Sequence, residues 1–142
     1  MTPKQIELVK ATWSQVAALD PVTVGKLFYD RLFEIAPQVR PMFHHPLPEQ
    51  SKKLLAMINY VISKLDKLED ILGEVAKLAQ RHVHYGVEPQ HYTVVGEALL
   101  WTLEKGLGKN WNEEIQIAWF DCYRVLSAAM INAASLKEQH AA

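Results

Sequence analysis

The sequence predicts an all-α protein with a single domain. Helix starts marked by proline recur along the chain, apolar residues between them recur at helical spacing, and no run alternates as a half-buried strand does. The chain has 142 residues, enough to bury a core without a disulfide or a metal. We expect residues 1–136 to form the domain and residues 137–142 to be a frayed polar tail.

The first two helices have strong start signals. In the segment Thr2-Pro3-x-Gln5, the threonine is an N-cap candidate, the proline is suited to the first helical position and the glutamine can complete a capping box. Asp20-Pro21 repeats the cap-plus-proline pattern and opens the second helix.

Prolines and glycines divide the rest of the chain. Pro37 and Pro41 bracket a short helical turn, and residues 44–48 are predicted as a loop because prolines are excluded from a helix interior. Further helices are predicted at about 49–65, about 69–85 with Gly86 placed to stop it, about 89–107 after Glu88-Pro89, and about 112–136.

Composition restricts the classes of function. A net charge of −1 and a pI near 6.6 give no electrostatic footprint for nucleic acid or an acidic membrane. The most apolar stretch, 54–62, is far shorter than the roughly 20 apolar residues of a membrane span. The N-terminus lacks a signal-peptide pattern, and Cys122 is the only cysteine, so a cytoplasmic location is predicted. Motifs of zinc proteases, serine hydrolases and phosphate-binding loops are absent from the sequence.

His82 has the most informative position for chemistry. On its predicted helix it shares one face with aliphatic residues, namely Ile71, Leu72, Val75, Leu78 and Ala79. His84 lies about 200° away, so the two histidines cannot chelate one metal together. Two interpretations of this helix stay open: a core histidine bonded to a backbone carbonyl, or an axial ligand to haem iron.

Five motifs follow one another along the chain. They are LFYDRLF at 27–33, PQVRPMF at 37–43, QSKKL at 50–54, RHVHYGV at 81–87 and HYTVVG at 91–96. In this order they resemble bacterial single-domain haemoglobins and the globin domain of flavohaemoglobins, and more distantly neuroglobin-like proteins. The resemblance extends from about residue 4 to residue 133. It implies the globin fold, a three-over-three helical sandwich around one haem b (iron protoporphyrin IX), held without covalent links since Cys-x-x-Cys-His is absent.

The resemblance implies a role for each residue of a haem pocket. His82 corresponds to the proximal iron ligand, and Phe43 to the phenylalanine that wedges against the haem plane. Leu54 corresponds to an apolar residue on the distal side, and Leu78, on the face of His82, is expected to line the pocket.

On the distal side, the resemblance places Tyr29 and Gln50 toward the gas. Gly25, one turn before Tyr29, matches the small residue at which two globin helices cross closely, and Ser51 is its expected counterpart. A hydroxyl and an amide that donate hydrogen bonds to bound O₂ imply tight retention. The expected function is therefore binding of O₂, NO or CO, for oxygen storage, transport or scavenging.

Nitric oxide dioxygenation is the alternative function. Flavohaemoglobins use a proximal His–Tyr–Glu arrangement, of which His82 and Tyr92 match the first two members, but the third position falls at about Ala134. The sequence has no Gly-x-Gly-x-x-Gly and too few residues for a reductase domain, so turnover would need an external reductase. The sequence thus favours gas binding by a monomer or weak homodimer over dedicated catalysis. A third class, a haem-free helical scaffold, is distinguished by its lack of a Soret absorption band.

Overall fold

The computed structural model describes the backbone of residues 1–84 and 87–141, and the side chains up to residue 132 apart from that of residue 84. Six α-helices follow one another in the described chain: α1 (Pro3–Ala17), α2 (Pro21–Ile35), α3 (Leu47–Ser63), α4 (Leu72–His84), α5 (Pro89–Leu107) and α6 (Glu113–Ala141). Three 3₁₀ segments connect them, at Pro37–Met42, Leu65–Ile71 and Gly108–Asn110. The described residues contain no strand, so the all-α prediction is confirmed.

The predicted helix starts are confirmed by their hydrogen bonds. The Thr2 hydroxyl accepts from the Gln5 main-chain N–H at 3.1 Å, and the Gln5 side chain accepts from the Thr2 N–H at 2.9 Å, which completes the capping box. The Asp20 carboxylate likewise accepts from the Thr23 main-chain N–H at 3.2 Å. Each cap satisfies donors that a helix start leaves without an intrahelical partner.

The predicted boundaries of α3 and α4 need correction. α3 begins at Leu47, two residues earlier than predicted, because Pro48 lies in the first turn, where a missing N–H costs no helical hydrogen bond. α4 begins at Leu72 and not near residue 69. The chain before it is 3₁₀, with a break at Lys67, whose φ of −136° and ψ of 50° are not helical. The stop expected at Gly86 lies outside the described residues.

The last two helices have the predicted starts. α5 starts after Glu88 and ends at Leu107, followed by Gly108 with a positive φ of 53°, a conformation that glycine adopts without a steric penalty. α6 extends past the expected end at residue 136 to Ala141. That residues 137–142 fray stays a prediction.

The helices pack in pairs around two apolar clusters. α2 packs against α3 and α5, whereas α4 and α1 pack against α6. The larger cluster joins α1, α3, α5 and α6, and it also includes Val24 of α2 and Leu65 of the second 3₁₀ segment. Within it, Trp119 Nε1 donates to the Thr12 hydroxyl at 2.9 Å and the Trp13 ring meets the Trp119 ring edge-on at 6.2 Å. The smaller cluster is built on α2 around Phe28, Tyr29 and Leu32.

The crossing of α2 over α3 sets the geometry of this smaller cluster. A Cβ on Gly25 would lie 2.9 Å from the Cα of Ser51 and closer still to the serine side chain. Ser51 is buried, and its hydroxyl is satisfied by the Leu47 carbonyl at 2.7 Å. The predicted close approach of Gly25 and Ser51 is therefore confirmed. No helix in the described ranges is long and apolar enough to cross a membrane.

Candidate haem site

His82 lies near the end of α4, above a buried aliphatic stripe. Ile71, Val75 and Ala79 are buried as predicted, and His82 and Leu78 are half-buried. The predicted stripe was wrong only at Leu72, which is 55% exposed. Leu72 is the first residue of α4, and the preceding Ile71 occupies the buried position there.

The two ring nitrogens of His82 have different surroundings. Nδ1 lies 2.8 Å from the main-chain oxygen of Leu78. Since a carbonyl only accepts, Nδ1 carries the proton and donates, which leaves the lone pair on Nε2. No hydrogen bond to Nε2 is found among the described residues. This is the arrangement of a histidine that binds a metal through Nε2 while a second residue orients its ring.

The protonation of His82 agrees with this role. The pKa of His82 is lowered, and burial is the largest cause of that shift. The positive charge of neighbouring Arg81 also lowers it. The bond to the Leu78 carbonyl opposes the change because it favours the protonated ring. A lowered pKa keeps the imidazole neutral near pH 7, as a metal ligand must be.

Tyr29 is buried in a group of aromatic rings. Only 2% of it is exposed, and its ring lies 5.0 Å from that of Phe28, 5.2 Å from Phe43 and 5.9 Å from Phe33. Burial raises the pKa of Tyr29 to about 12, and the nearby Gln50 side chain acts in the opposite direction. The phenol is therefore a neutral donor at physiological pH, and the fold brings Tyr29 and Gln50 together.

The apolar candidates lie around this pair. Phe43 follows the 3₁₀ segment Pro37–Met42, and its ring packs edge-on against both Tyr29 and Phe33. Leu54, one turn after Gln50 on α3, is half-buried and contacts both apolar clusters. These placements agree with an apolar wall beside the Tyr29–Gln50 pair.

Tyr92 lies beside His82, in the first turn of α5. The two rings are nearly parallel, with an interplanar angle of 17° and centroids 6.4 Å apart. Burial raises the pKa of Tyr92. No hydrogen bond joins the two side chains in the described part of the chain, so the ring of Tyr92 flanks His82 without bonding to it.

Sequence reasoning missed the residue that holds Tyr92. The Tyr123 hydroxyl on α6 donates to the main-chain oxygen of Tyr92 at 2.6 Å. Gly96, one turn after Tyr92, leaves room for this contact, because a Cβ there would lie 2.7 Å from Cε2 of Tyr123. The glycine inside a helical pattern was the available signal, since such a glycine often marks a close approach. Its partner is 27 residues away in sequence and could not be named.

The helices that bear the two halves of the site do not pack on each other. α3, with Gln50, packs on α2, whereas α4, with His82, packs on α6; across the described residues, contact between α3 and α4 is marginal at most. A haem site needs a neutral imidazole and apolar walls, and polar groups on the gas-binding side tune its chemistry. His82, the apolar residues Phe43 and Leu54, and the Tyr29–Gln50 pair are groups of these kinds. Within the same residues, no group of three or more His, Cys, Asp or Glu side chains converges to hold a bare metal ion.

Comparison with known proteins agrees with this geometry. The globin family model matches residues 26–130. The chain belongs to the globin family. Neuroglobin-1 of Oncorhynchus mykiss is 30% identical over 92% of this chain and 90% of its own length. Flavohemoprotein A of Dictyostelium discoideum is 31% identical over 94% of this chain, which spans only 34% of that protein. Membership of the family implies that this globin binds haem.

Solved structures give the same fold. A bacterial globin from Campylobacter jejuni superposes with a TM-score of 0.85 at 27% identity, covering 97% of this globin and 99% of that chain. An engineered carbene transferase derived from a putative nitric oxide dioxygenase of Rhodothermus marinus superposes with a TM-score of 0.86. The superposition covers 98% of this chain and 96% of that chain. At 22% identity, this similarity supports the fold alone.

Proposed function

We propose that this globin binds haem b non-covalently through His82 and uses Tyr29 and Gln50 to retain O₂ tightly. Haem, when bound, supplies an iron centre at which O₂, NO or CO coordinates. Nε2 of His82 is the atom offered to the iron, and Phe43 and Leu54 provide apolar contacts. The observation that carries the proposal is the buried Tyr29 side chain, with the Gln50 side chain near enough to lower its pKa.

The chemistry of Tyr29 supports retention over rapid release. A phenol whose pKa is about 12 stays protonated and can donate to the partly negative outer oxygen of the gas. A hydrogen bond to a charged acceptor contributes about 1.5–3 kcal/mol, which corresponds to roughly tenfold to a hundredfold slower release. Such a site suits storage, scavenging or sensing of O₂ better than unloading.

The first test is the absorption spectrum of the purified protein. We expect a Soret band that is lost in His82→Ala, because no other described side chain is placed to bind the iron from α4. A purified wild type that takes up no haem when haem is added would contradict the proposal at its first step.

The second test is the rate of O₂ dissociation, measured by stopped flow. We predict that Tyr29→Phe raises this rate more than tenfold, because it removes the hydroxyl and leaves the ring packing in place. Tyr60→Phe is the matched control, since Tyr60 is 45% exposed on α3 and should leave the rate unchanged. An unchanged rate in Tyr29→Phe would remove Tyr29 from the gas-binding side.

Nitric oxide dioxygenation is a second candidate, favoured by the Tyr92 ring beside His82. The reaction combines O₂, NO and one electron to give nitrate, and the electron would come from an external reductase. In the resemblance to flavohaemoglobins, the carboxylate that would bond Tyr92 falls at about Ala134, which has none, and this argues for slow turnover. NO consumption measured with a supplied reductase distinguishes the two functions, since an efficient enzyme sustains many turnovers and a gas-binding globin does not.

A further inference from the structure

The outward face of α6 presents two large apolar side chains to solvent. Ile117 is 49% exposed and Phe120 is 54% exposed, whereas Ala118, Trp119 and Cys122 on the same helix are buried. Single exposed apolar residues are common, but these two are neighbours at i and i+3. They also border a hollow formed with Trp111 at the start of the helix.

Charged residues extend this pair at both ends. Glu113 lies four residues before Ile117, and Arg124 lies four residues after Phe120. At 100° per residue the four positions fall within about 60° of azimuth, so they form one straight stripe, about 16 Å long. We call these four residues the α6 stripe. Both ends are exposed. No ion pair involves Glu113 in the part of the chain that the structure describes. The Arg124 side chain is 68% exposed and forms a long ion pair, 3.8 Å, with Asp121 on the same helix.

The order of the α6 stripe is acidic, apolar, apolar, basic. The midpoint between Ile117 and Phe120 is also the midpoint between Glu113 and Arg124. If a second copy lies antiparallel about a twofold axis at that midpoint, Ile117 meets Phe120 of the second copy, and Glu113 meets Arg124 of the second copy. A twofold interface requires a patch that is complementary to itself, and the α6 stripe has this property.

We propose that the α6 stripe is the surface through which two copies of this chain associate, antiparallel and about a twofold axis. A parallel pair would place Glu113 against Glu113 and is disfavoured by like charge. The contact is short, so the interface belongs to the small, weak class and should dissociate on dilution. The proposal does not depend on haem or on the gas that is bound.

Sedimentation velocity of the full chain tests the proposal. From about 10 μM to about 1 mM we expect a reversible monomer–dimer equilibrium that shifts with concentration. Phe120→Ser should raise the dissociation constant at least tenfold. Leu19→Ser is the matched control, because Leu19 is 43% exposed on another part of the surface and should leave the equilibrium unchanged.

Charge reversal tests the antiparallel register. Glu113→Arg and Arg124→Glu each place like charges opposite one another at both ends of the contact, so each should weaken association. The double variant restores opposite charges at both ends and should associate as the wild type does. Circular dichroism checks that each variant keeps its helices, and any helix-end effect of Glu113→Arg persists in the double variant.

Three results would overturn the proposal. The first is a wild type that stays monomeric up to the highest concentration, which would leave the α6 stripe to an unlike partner or to none. The second is a dimer that Phe120→Ser does not weaken, which would place the contact elsewhere. The third is a double charge variant no better associated than the single variants, which would exclude the antiparallel register.

Discussion

Gly25→Ala is the sharpest test of how this fold positions its distal residues. The added Cβ would lie 2.9 Å from the Cα of Ser51 and even nearer to the serine side chain, closer than carbon atoms approach without displacement. A rotamer change cannot relieve a clash with backbone, so α3 must move away from α2. Overpacking of this kind costs about 1–3 kcal/mol, and the backbone contact favours the upper end.

The expected loss is measurable by thermal unfolding followed by circular dichroism. At about 3 kcal/mol, a chain of this size should lose roughly 10 °C in Tm. Gly73→Ala is the matched control on α4, where an added Cβ meets nothing within 4 Å. There alanine should stabilise the helix by up to about 1 kcal/mol, because it replaces the more flexible glycine.

The clash should also change the geometry of the candidate site. Gly25 lies one turn before Tyr29, and Ser51 directly follows Gln50, so separating α2 from α3 separates the Tyr29 hydroxyl from the Gln50 side chain. We expect Gly25→Ala to accelerate O₂ dissociation as well as to lower Tm. Ser51→Gly in the Gly25→Ala background removes the nearest side-chain atoms and should recover part of both losses.

Two outcomes would refute this reasoning. If Gly25→Ala unfolds at the temperature of the wild type while Gly73→Ala behaves as expected, the spacing of α2 and α3 is not set at Gly25. If Ser51→Gly recovers nothing in the Gly25→Ala background, the loss arises somewhere other than this crossing.

Two further predictions concern α6. Tyr123→Phe removes the side-chain hydrogen bond to the Tyr92 carbonyl and should cost about 1 kcal/mol in urea unfolding. Tyr60→Phe is the neutral control, and equal stability of Tyr123→Phe and wild type would contradict the anchor. Burial raises the pKa of Cys122 to about 12, so its thiol should stay unreactive toward a disulfide reagent at pH 8 until the chain unfolds, and rapid native labelling would contradict its burial. Because the folded pKa is the raised one, the stability this thiol contributes is complete below the pKa of the unfolded thiol, near 8.5, and is lost as the pH rises toward about 12.

Local chemistry explains why most helix starts could be predicted. The caps at Thr2 and Asp20 involve residues three apart, so the pattern and the structure that it produces lie in the same short segment. The break at Lys67 has no such local cause: no proline or glycine lies within 65–71, and the helical period continues through it. A boundary set by how a segment packs on the rest of the chain has no reliable signature in the segment itself.

The candidate site also has features that the sequence predicts and features that it does not. Helical spacing was enough to put His82 on the buried face of α4, but only the resemblance to globins suggested an iron ligand. Tyr29 and Gln50 lie on two different helices, which cross at Gly25. Only the resemblance of the sequence motifs to globins predicted that the two residues lie together. The hydrogen bond from Tyr123 to Tyr92 joins residues 31 apart and belongs to no motif, so only the folded structure reveals it.

The environment of His82 bears on the choice between gas binding and redox chemistry. Its Nδ1–H donates to a neutral carbonyl, that of Leu78, and a carboxylate in that position would make the imidazole more electron-donating. Tyr92 flanks the ring but is held through its main chain by Tyr123, which directs no charge toward His82. Among the described residues, the surroundings of His82 thus orient its ring without strengthening its electron donation. Together with the hydrogen bonds proposed for Tyr29 and Gln50, this environment supports the proposed gas binding over activation of the gas.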